Sequence, residues 1–121
     1  MIKVVYCIRR KAGLTHADFL AYWELVHAPI VLANVEVLRI SSYVRTVPLD
    51  RAFSPRVERP GTMQPRYDGI AELAWATEDD MRHAFESEPA LAVHRRLALD
   101  EHNFIDQAAS SRWIAHGVCH I

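Results

Sequence analysis

Apolar residues recur along this chain with two different periods. From Ile2 to Ile8 the run IKVVYCI is short, apolar and rich in β-branched residues, which predicts a buried strand. After a turn at Lys11 to Leu14 the period changes. Phe19, Trp23, Val26 and Ile30 recur at steps that keep one face of a helix apolar. Thr15 stands where a helix N-cap is expected, with Asp18 in the capping-box position. Pro29 predicts a break or a bend, because proline removes a backbone donor and disfavours helical geometry in the residue before it.

Residues 35 to 47, with Ile40, Tyr43 and Val44, predict a second strand, and residues 67 to 76, YDGIAELAWA, predict a third. Gly69 inside that third run points to a bulge or to close approach of another group. Thr77 caps the next helix with Asp80 three residues on, and Met81, Ala84 and Phe85 form its buried side. Pro89 opens a second helical piece at a favourable first-turn position, and Val93, Leu97 and Phe104 continue an apolar face. Residues 112 to 121 predict the last strand. The order β-α-β-β-α-β is that of a ferredoxin-like α+β unit with an antiparallel sheet. Both helices cover one face of such a sheet. Because Val4, Tyr6 and Ile8 alternate with Val5 and Cys7, the other face is apolar too, and a second copy of the chain is expected to cover it.

Residues 48 to 66 differ from everything around them. They hold Pro48, Pro55, Pro60 and Pro65, together with Gly61 and the arginines Arg51, Arg56, Arg59 and Arg66. This long connection within a single domain, residues 1 to 121, is a candidate lid or dimer arm. Its arginines are either clamps for an acidic substrate or a solvated arm.

Composition narrows the function classes. The 14 Lys and Arg against 15 Asp and Glu give a formal net charge of −1, so there is no basic footprint for nucleic acid. No apolar run is long enough for a membrane span or a signal peptide, and a cytoplasmic location is expected. The two cysteines, Cys7 and Cys119, make neither a disulfide framework nor a metal spacing. His116 and His120 share a face of the predicted last strand. With His94 they are too few and too scattered to predict a metal site.

Two stretches carry a family resemblance. The first is RRKAGLTHADFLAYWELVHAPIV, with Tyr22-Trp23 and His27-Ala28-Pro29, and the second is YDGIAELAWATEDD, with Asp68-Gly69 and Glu72. A weaker match runs from Asp100 to Asp106. In these features the chain resembles the EthD-like family, named for ethyl tert-butyl ether degradation, within the dimeric α+β barrel group. The resemblance implies a ferredoxin-like fold that pairs into a dimeric barrel. It implies chemistry less narrowly, since the wider group includes cofactor-free monooxygenases, isomerases, cyclases, dehydratases and haem-degrading enzymes.

His27 is the first candidate for chemistry. It lies one turn from Trp23, and imidazole has an unperturbed pKa of about 6.5, suited to moving protons near neutral pH. It is either an acid/base or a structural histidine bonded to a backbone carbonyl. Glu72 is expected as its partner or as a second acid/base, or as one half of an ion pair with Arg45 or Arg39. Asp68 shares a strand face with Glu72 and is expected at the substrate site or capping a turn. Tyr43 is a candidate donor to an oxyanion, and Arg45 on the same strand face is expected to contact the substrate. Trp23 and Tyr22 are expected as pocket wall or core. Asp106 stands at the expected end of a helix, a poor place for an acid unless it serves a hydrogen bond.

The leading expectation is a cofactor-independent acid/base enzyme of isomerase, dehydratase or cyclase type. Its substrate is a small, apolar, oxygenated compound of aromatic or polyketide-like type, bound between the sheet and its own helices. The alternatives are a haem- or oxygen-dependent monooxygenase and a non-catalytic accessory dimer.

Overall fold

A computed structural model describes all 121 residues. Its core is a four-stranded antiparallel sheet in the order β2-β3-β1-β4, built from β1 (Ile2–Ile8), β2 (Ser42–Thr46), β3 (Gly69–Trp75) and β4 (Ser111–His116). The central strands β1 and β3 pair along their full length, from Ile2 opposite Trp75 to Ile8 opposite Gly69. In this register Val4 and Tyr6 of β1 share a face with Leu73 and Ala71 of β3 and with Ile114 and Arg112 of β4. That face carries the helices. Lys3, Val5 and Cys7 point to the other face with Ile70, Glu72 and Trp113, because side chains alternate along a strand.

The helices over the sheet are α1 (His16–Tyr22), α2 (Ala28–Ala33) and α3 (Val35–Leu38) in the first crossover, and α5 (Glu78–Glu86) and α6 (Glu88–Glu101) in the second. The short α4 (Ser54–Glu58) lies in the loop between β2 and β3. Thr15 and Thr77 cap α1 and α5 as expected, each accepting from the backbone amide of the acid three residues on. The chain is ferredoxin-like α+β, and no helix is long and apolar enough to cross a membrane.

Four boundaries differ from the sequence expectation. Residues 35 to 38 are helical rather than extended, so the second strand is confined to Ser42–Thr46. The helix stops at Arg39, which takes a left-handed conformation (φ 52) as the Ile40 amide donates back to the Val35 carbonyl. The last strand ends at His116, leaving 117 to 121 exposed and without regular structure. The Pro/Arg-rich connection contains α4. Asp106 lies beyond α6 and accepts from the Ala109 amide within a turn, so it does not end a helix.

A fifth difference moves a whole helix face. Between α1 and α2 the chain makes a π-helical turn, Trp23–His27, in which the Ala28 amide donates to the Trp23 carbonyl. This wider turn inserts one residue into the helical repeat. Val26, expected on the buried stripe, is 42% exposed, while His27, Ala28 and Val31 are buried with Phe19 and Trp23. Pro29 supplies a cause: its ring clashes with the carbonyl four residues back in an α-helix and its nitrogen has no hydrogen to donate.

The buried apolar residues form two clusters. One gathers Val4, Val31, Leu38, Trp75, Met81 and Leu97, and the other gathers Tyr6, Phe19, Trp23, Ala71, Phe104 and Ile105. Gly69 joins sheet to helix, because its Cα hydrogens lie against the Trp23 indole where any Cβ would collide with the ring. That close approach is what an isolated strand glycine predicts.

Candidate active site between the sheet and its helices

A cavity of about 440 Å³ lies between the sheet and the helices and is lined by members of both core clusters. Most of its wall is apolar, with Val4, Leu73, Trp75 and Leu97 among the lining residues. Its polar wall consists of His27, Tyr43, Tyr6, His94, Glu101 and Arg112. A volume of this size suits a small organic molecule.

His27 stands on this wall because the π-turn carries it inward. Its Nδ1 lies 2.8 Å from Asp100 Oδ2, and its ring packs 4.9 Å from the Phe104 ring, centroid to centroid. Asp100 is near the end of α6 and is itself held in place: the Tyr22 hydroxyl donates to its Oδ1 at 2.6 Å, and Asn103 donates to the same oxygen. Burial alone pushes the Asp100 carboxyl up. The hydrogen bonds from Tyr22, His27 and Asn103 outweigh burial and leave its pKa lowered. A carboxylate on Nδ1 places the ring hydrogen there and leaves Nε2, which has no partner in the protein, as a proton acceptor.

Glu101 follows Asp100 directly but faces the cavity. It is only 7% exposed, and burial raises its pKa against the opposing charge of Arg112. Gln107 donates to its Oε2 at 3.1 Å, whereas Oε1 lies 3.8 Å from the Arg112 guanidinium, too far for a hydrogen bond. Tyr43 lines the cavity and accepts from the Trp23 indole at 3.3 Å, with burial raising its pKa. The Tyr6 phenol is pushed up to about 12, chiefly by burial and then by Glu101.

Four of the residues expected at the site lie elsewhere. Glu72 is on the sheet face away from the helices, 3.4 Å from Lys3, so Asp100 and not Glu72 partners His27. Alternation along β3 is the reason: Ala71, Leu73 and Trp75 face the helices, and Glu72 necessarily does not. Asp68, at the start of β3, is ion-paired with Arg10 and accepts from its amide. Arg45 lies over the Trp23 ring at 5.3 Å and near Glu24, outside the cavity lining. Tyr22 does not line the cavity but steadies Asp100. His27, Tyr43 and Trp23 are brought together there. His94 is on α6, His116 ends β4 and His120 is in the exposed tail, and no three potential ligands gather.

Asp100 and Glu101 were missed as site residues. A signal was present: they sit three and four residues after Leu97 on the same helical stripe, so acids interrupt an apolar face. Acids in the last turn of a helix also oppose its dipole, which calls for another reason to be there.

Residues 11–108 match the family model described as EthD domain. Among solved structures, the chain is similar to an EthD-like protein from Ralstonia eutropha, with a TM-score of 0.63 and 16% identity over 99% of this chain and 94% of that one. A protein from Thermobifida fusca described as dimeric, ferredoxin-like and of unknown function gives a TM-score of 0.61 and 12% identity, covering 96% and 90%. A cofactor-independent oxygenase from Streptomyces nogalater (in a mutant form) gives 0.52 and 12%, covering 96% and 91%. No curated protein sequence matches the chain. At these identities the structural likenesses speak for the fold, and the family match, which spans most of the sequence, shows that the chain belongs to the EthD-domain family.

Proposed function

We propose that this protein is an acid/base enzyme acting, without a cofactor, on a small apolar oxygenated compound. The observation that carries the reading is the free Nε2 of His27 on the wall of an apolar cavity, with Nδ1 held by a fixed carboxylate. In this arrangement Nε2 takes a proton from a C–H or O–H of the substrate. Asp100 stabilises the imidazolium that forms, and the proton is returned to another position of the substrate. Isomerisation, dehydration and cyclisation all need this transfer. Tyr43 donates its hydroxyl hydrogen to the substrate oxygen, and Trp23 forms part of the wall.

The protein is also proposed to act as a homodimer. The sheet face without helices exposes Val44 and Trp113, the latter 48% exposed, and a second sheet packed there would cover them. The Thermobifida fusca neighbour, described as dimeric, supports this.

The test is a screen of apolar ketones, phenols and lactones against wild type, His27→Ala and Asp100→Asn, with folding checked by circular dichroism. His27→Ala should lower any activity found by roughly 10²- to 10⁴-fold, and Asp100→Asn by less. Full activity in His27→Ala sinks the proposal. A second reading, oxygenation with O₂ as co-substrate, has support from the Streptomyces nogalater neighbour. It predicts O₂ consumption in step with substrate loss.

A further inference from the structure

Glu101 has no part in the chemistry just described, yet it is among the most buried polar residues of the chain and faces the same cavity as His27. Its two oxygens are not equivalent. Oε2 accepts from Gln107, which fixes it as an acceptor. Oε1 has no hydrogen-bond partner in the protein, the Arg112 guanidinium standing off at 3.8 Å. A proton on this carboxyl group therefore belongs on Oε1. Asp100 and Glu101 are consecutive on α6, so one stretch of backbone positions both His27, through Asp100, and the Glu101 carboxyl.

The two groups are complementary. His27, with its ring hydrogen on Nδ1, offers a lone pair at Nε2 and no donor. Protonated Glu101 offers a donor and has its remaining oxygen occupied. A substrate that uses both must present an acidic hydrogen to His27 and a bare acceptor to Glu101. A carbonyl compound with a hydrogen on the adjacent carbon does this.

We propose that Glu101 is the second acid/base of the cavity and that the substrate class is an apolar, enolisable ketone or similar carbonyl compound. Resting on the acid/base reading above, the step is as follows. His27 Nε2 takes the proton from the carbon next to the carbonyl. The C–H electron pair becomes the new C=C bond, the carbonyl π pair moves to oxygen, and that oxygen takes the proton of Glu101 Oε1. The products are an enol, an imidazolium paired with Asp100, and a Glu101 carboxylate facing Arg112. Where the ketone carries a β,γ double bond the enol is a dienol. The enol proton returns to Glu101 as the carbonyl re-forms, the Cα=C pair becomes a Cα=Cβ bond, and the Cβ=Cγ pair takes the His27 proton at Cγ. This completes an isomerisation to the conjugated ketone and resets both groups.

The charged and titratable groups around Glu101 are Arg112 on β4, Tyr6 on β1, His27 on the π-turn and His102 beside it in sequence. Burial is the largest influence on Glu101 and favours its protonated form. The other hydroxyl donors of the cavity, Tyr6 and Tyr43, both have raised pKa values and stay neutral from pH 5 to 9. They cannot give a carbonyl contact that changes across that range.

The experiment measures binding of 1-indanone and of indane, the same skeleton without the carbonyl, by protein-observed NMR titration between about pH 5 and 9. The quantity read is the ratio of the two affinities. In wild type this ratio should be highest at acid pH and fall as pH rises through the raised pKa of Glu101. Glu101→Gln keeps a donor that does not titrate, so the fall should disappear while the carbonyl preference remains. Glu101→Leu should lower the acid-pH ratio roughly tenfold, the loss of one hydrogen bond to a carbonyl. A ratio that varies with pH equally in wild type and Glu101→Gln, or that Glu101→Leu leaves unchanged, overturns the role of Glu101 and leaves the His27 proposal standing. If neither compound binds wild type, the ketone assignment falls, while the acid/base reading, which also covers phenols and lactones, is decided by the activity of His27→Ala. Should Glu101→Leu not fold, the comparison of wild type with Glu101→Gln still decides.

Discussion

Two glutamates mark the two faces of the sheet. Glu72, on β3, projects to the face without helices, where it meets Lys3 and remains one-third exposed. Glu101, on α6, projects toward the other face, into a cavity walled by apolar side chains, with one oxygen held by Gln107. The same functional group is thus an ordinary partly solvated ion-pair member in one place and a buried acid with a raised pKa in the other. Chemistry here follows from environment more than from residue type: burial raises the Glu101 pKa even against the opposing charge of Arg112, whereas Glu72 stays partly solvated beside Lys3.

The contrast can be tested from its strongest side downward. If the open face is the dimer surface, Trp113→Glu places a charge on its β4 edge in place of a large apolar side chain. Dimer dissociation should then rise by roughly 30-fold or more, on the order of 2 kcal/mol or above, with light scattering at micromolar concentration reporting a monomer. A wild type that is already monomeric under those conditions sinks the dimer proposal. On the covered face, Gly69→Ala forces the Trp23 ring away from β3. It should cost about 1–3 kcal/mol of stability, seen as a lower urea midpoint with unchanged slope. No change in midpoint would mean that the Trp23 contact is not tight in solution. The smallest effect belongs to Lys3 and Glu72. A double-mutant cycle in the Trp113→Glu background, where no partner covers the pair, should give a coupling below about 1 kcal/mol that weakens with salt. A larger, salt-resistant coupling would show that the open face is less solvated than its geometry implies.

The architecture was legible because it rests on local signals. The β-branched run of β1, the threonine caps of α1 and α5, and the helical spacing of Met81, Ala84 and Leu97 all act over a few residues. They name the elements whatever packs against them. Gly69 was legible for the same reason, a missing side chain in a strand being a local oddity. The resemblance carried by the Tyr22-Trp23 and His27-Ala28-Pro29 stretch pointed at His27 and Trp23, the strand position of Tyr43 pointed at its phenol, and all three line the cavity. The helical turn at Val35–Leu38 was less legible, since Val35 and Val37 favour strand while the buried contact of Leu38 favours helix.

By itself, then, the sequence determined the order of elements, the ferredoxin-like class, the family and the presence of a histidine among apolar neighbours. Only the tertiary structure decided which acid serves it. A strand assigns its side chains to faces two by two, so a one-residue uncertainty about which set is covered sends Glu72 to the wrong side. The π-turn adds a residue to the helical repeat and so rotates His27 inward and Val26 outward, which a regular 3.6-residue period does not foresee. Asp100 and Glu101 are separated from His27 by more than seventy residues. Their approach is fixed only when α6 packs across the sheet beside the π-turn, where burial and hydrogen bonding give two neighbouring acids opposite pKa shifts.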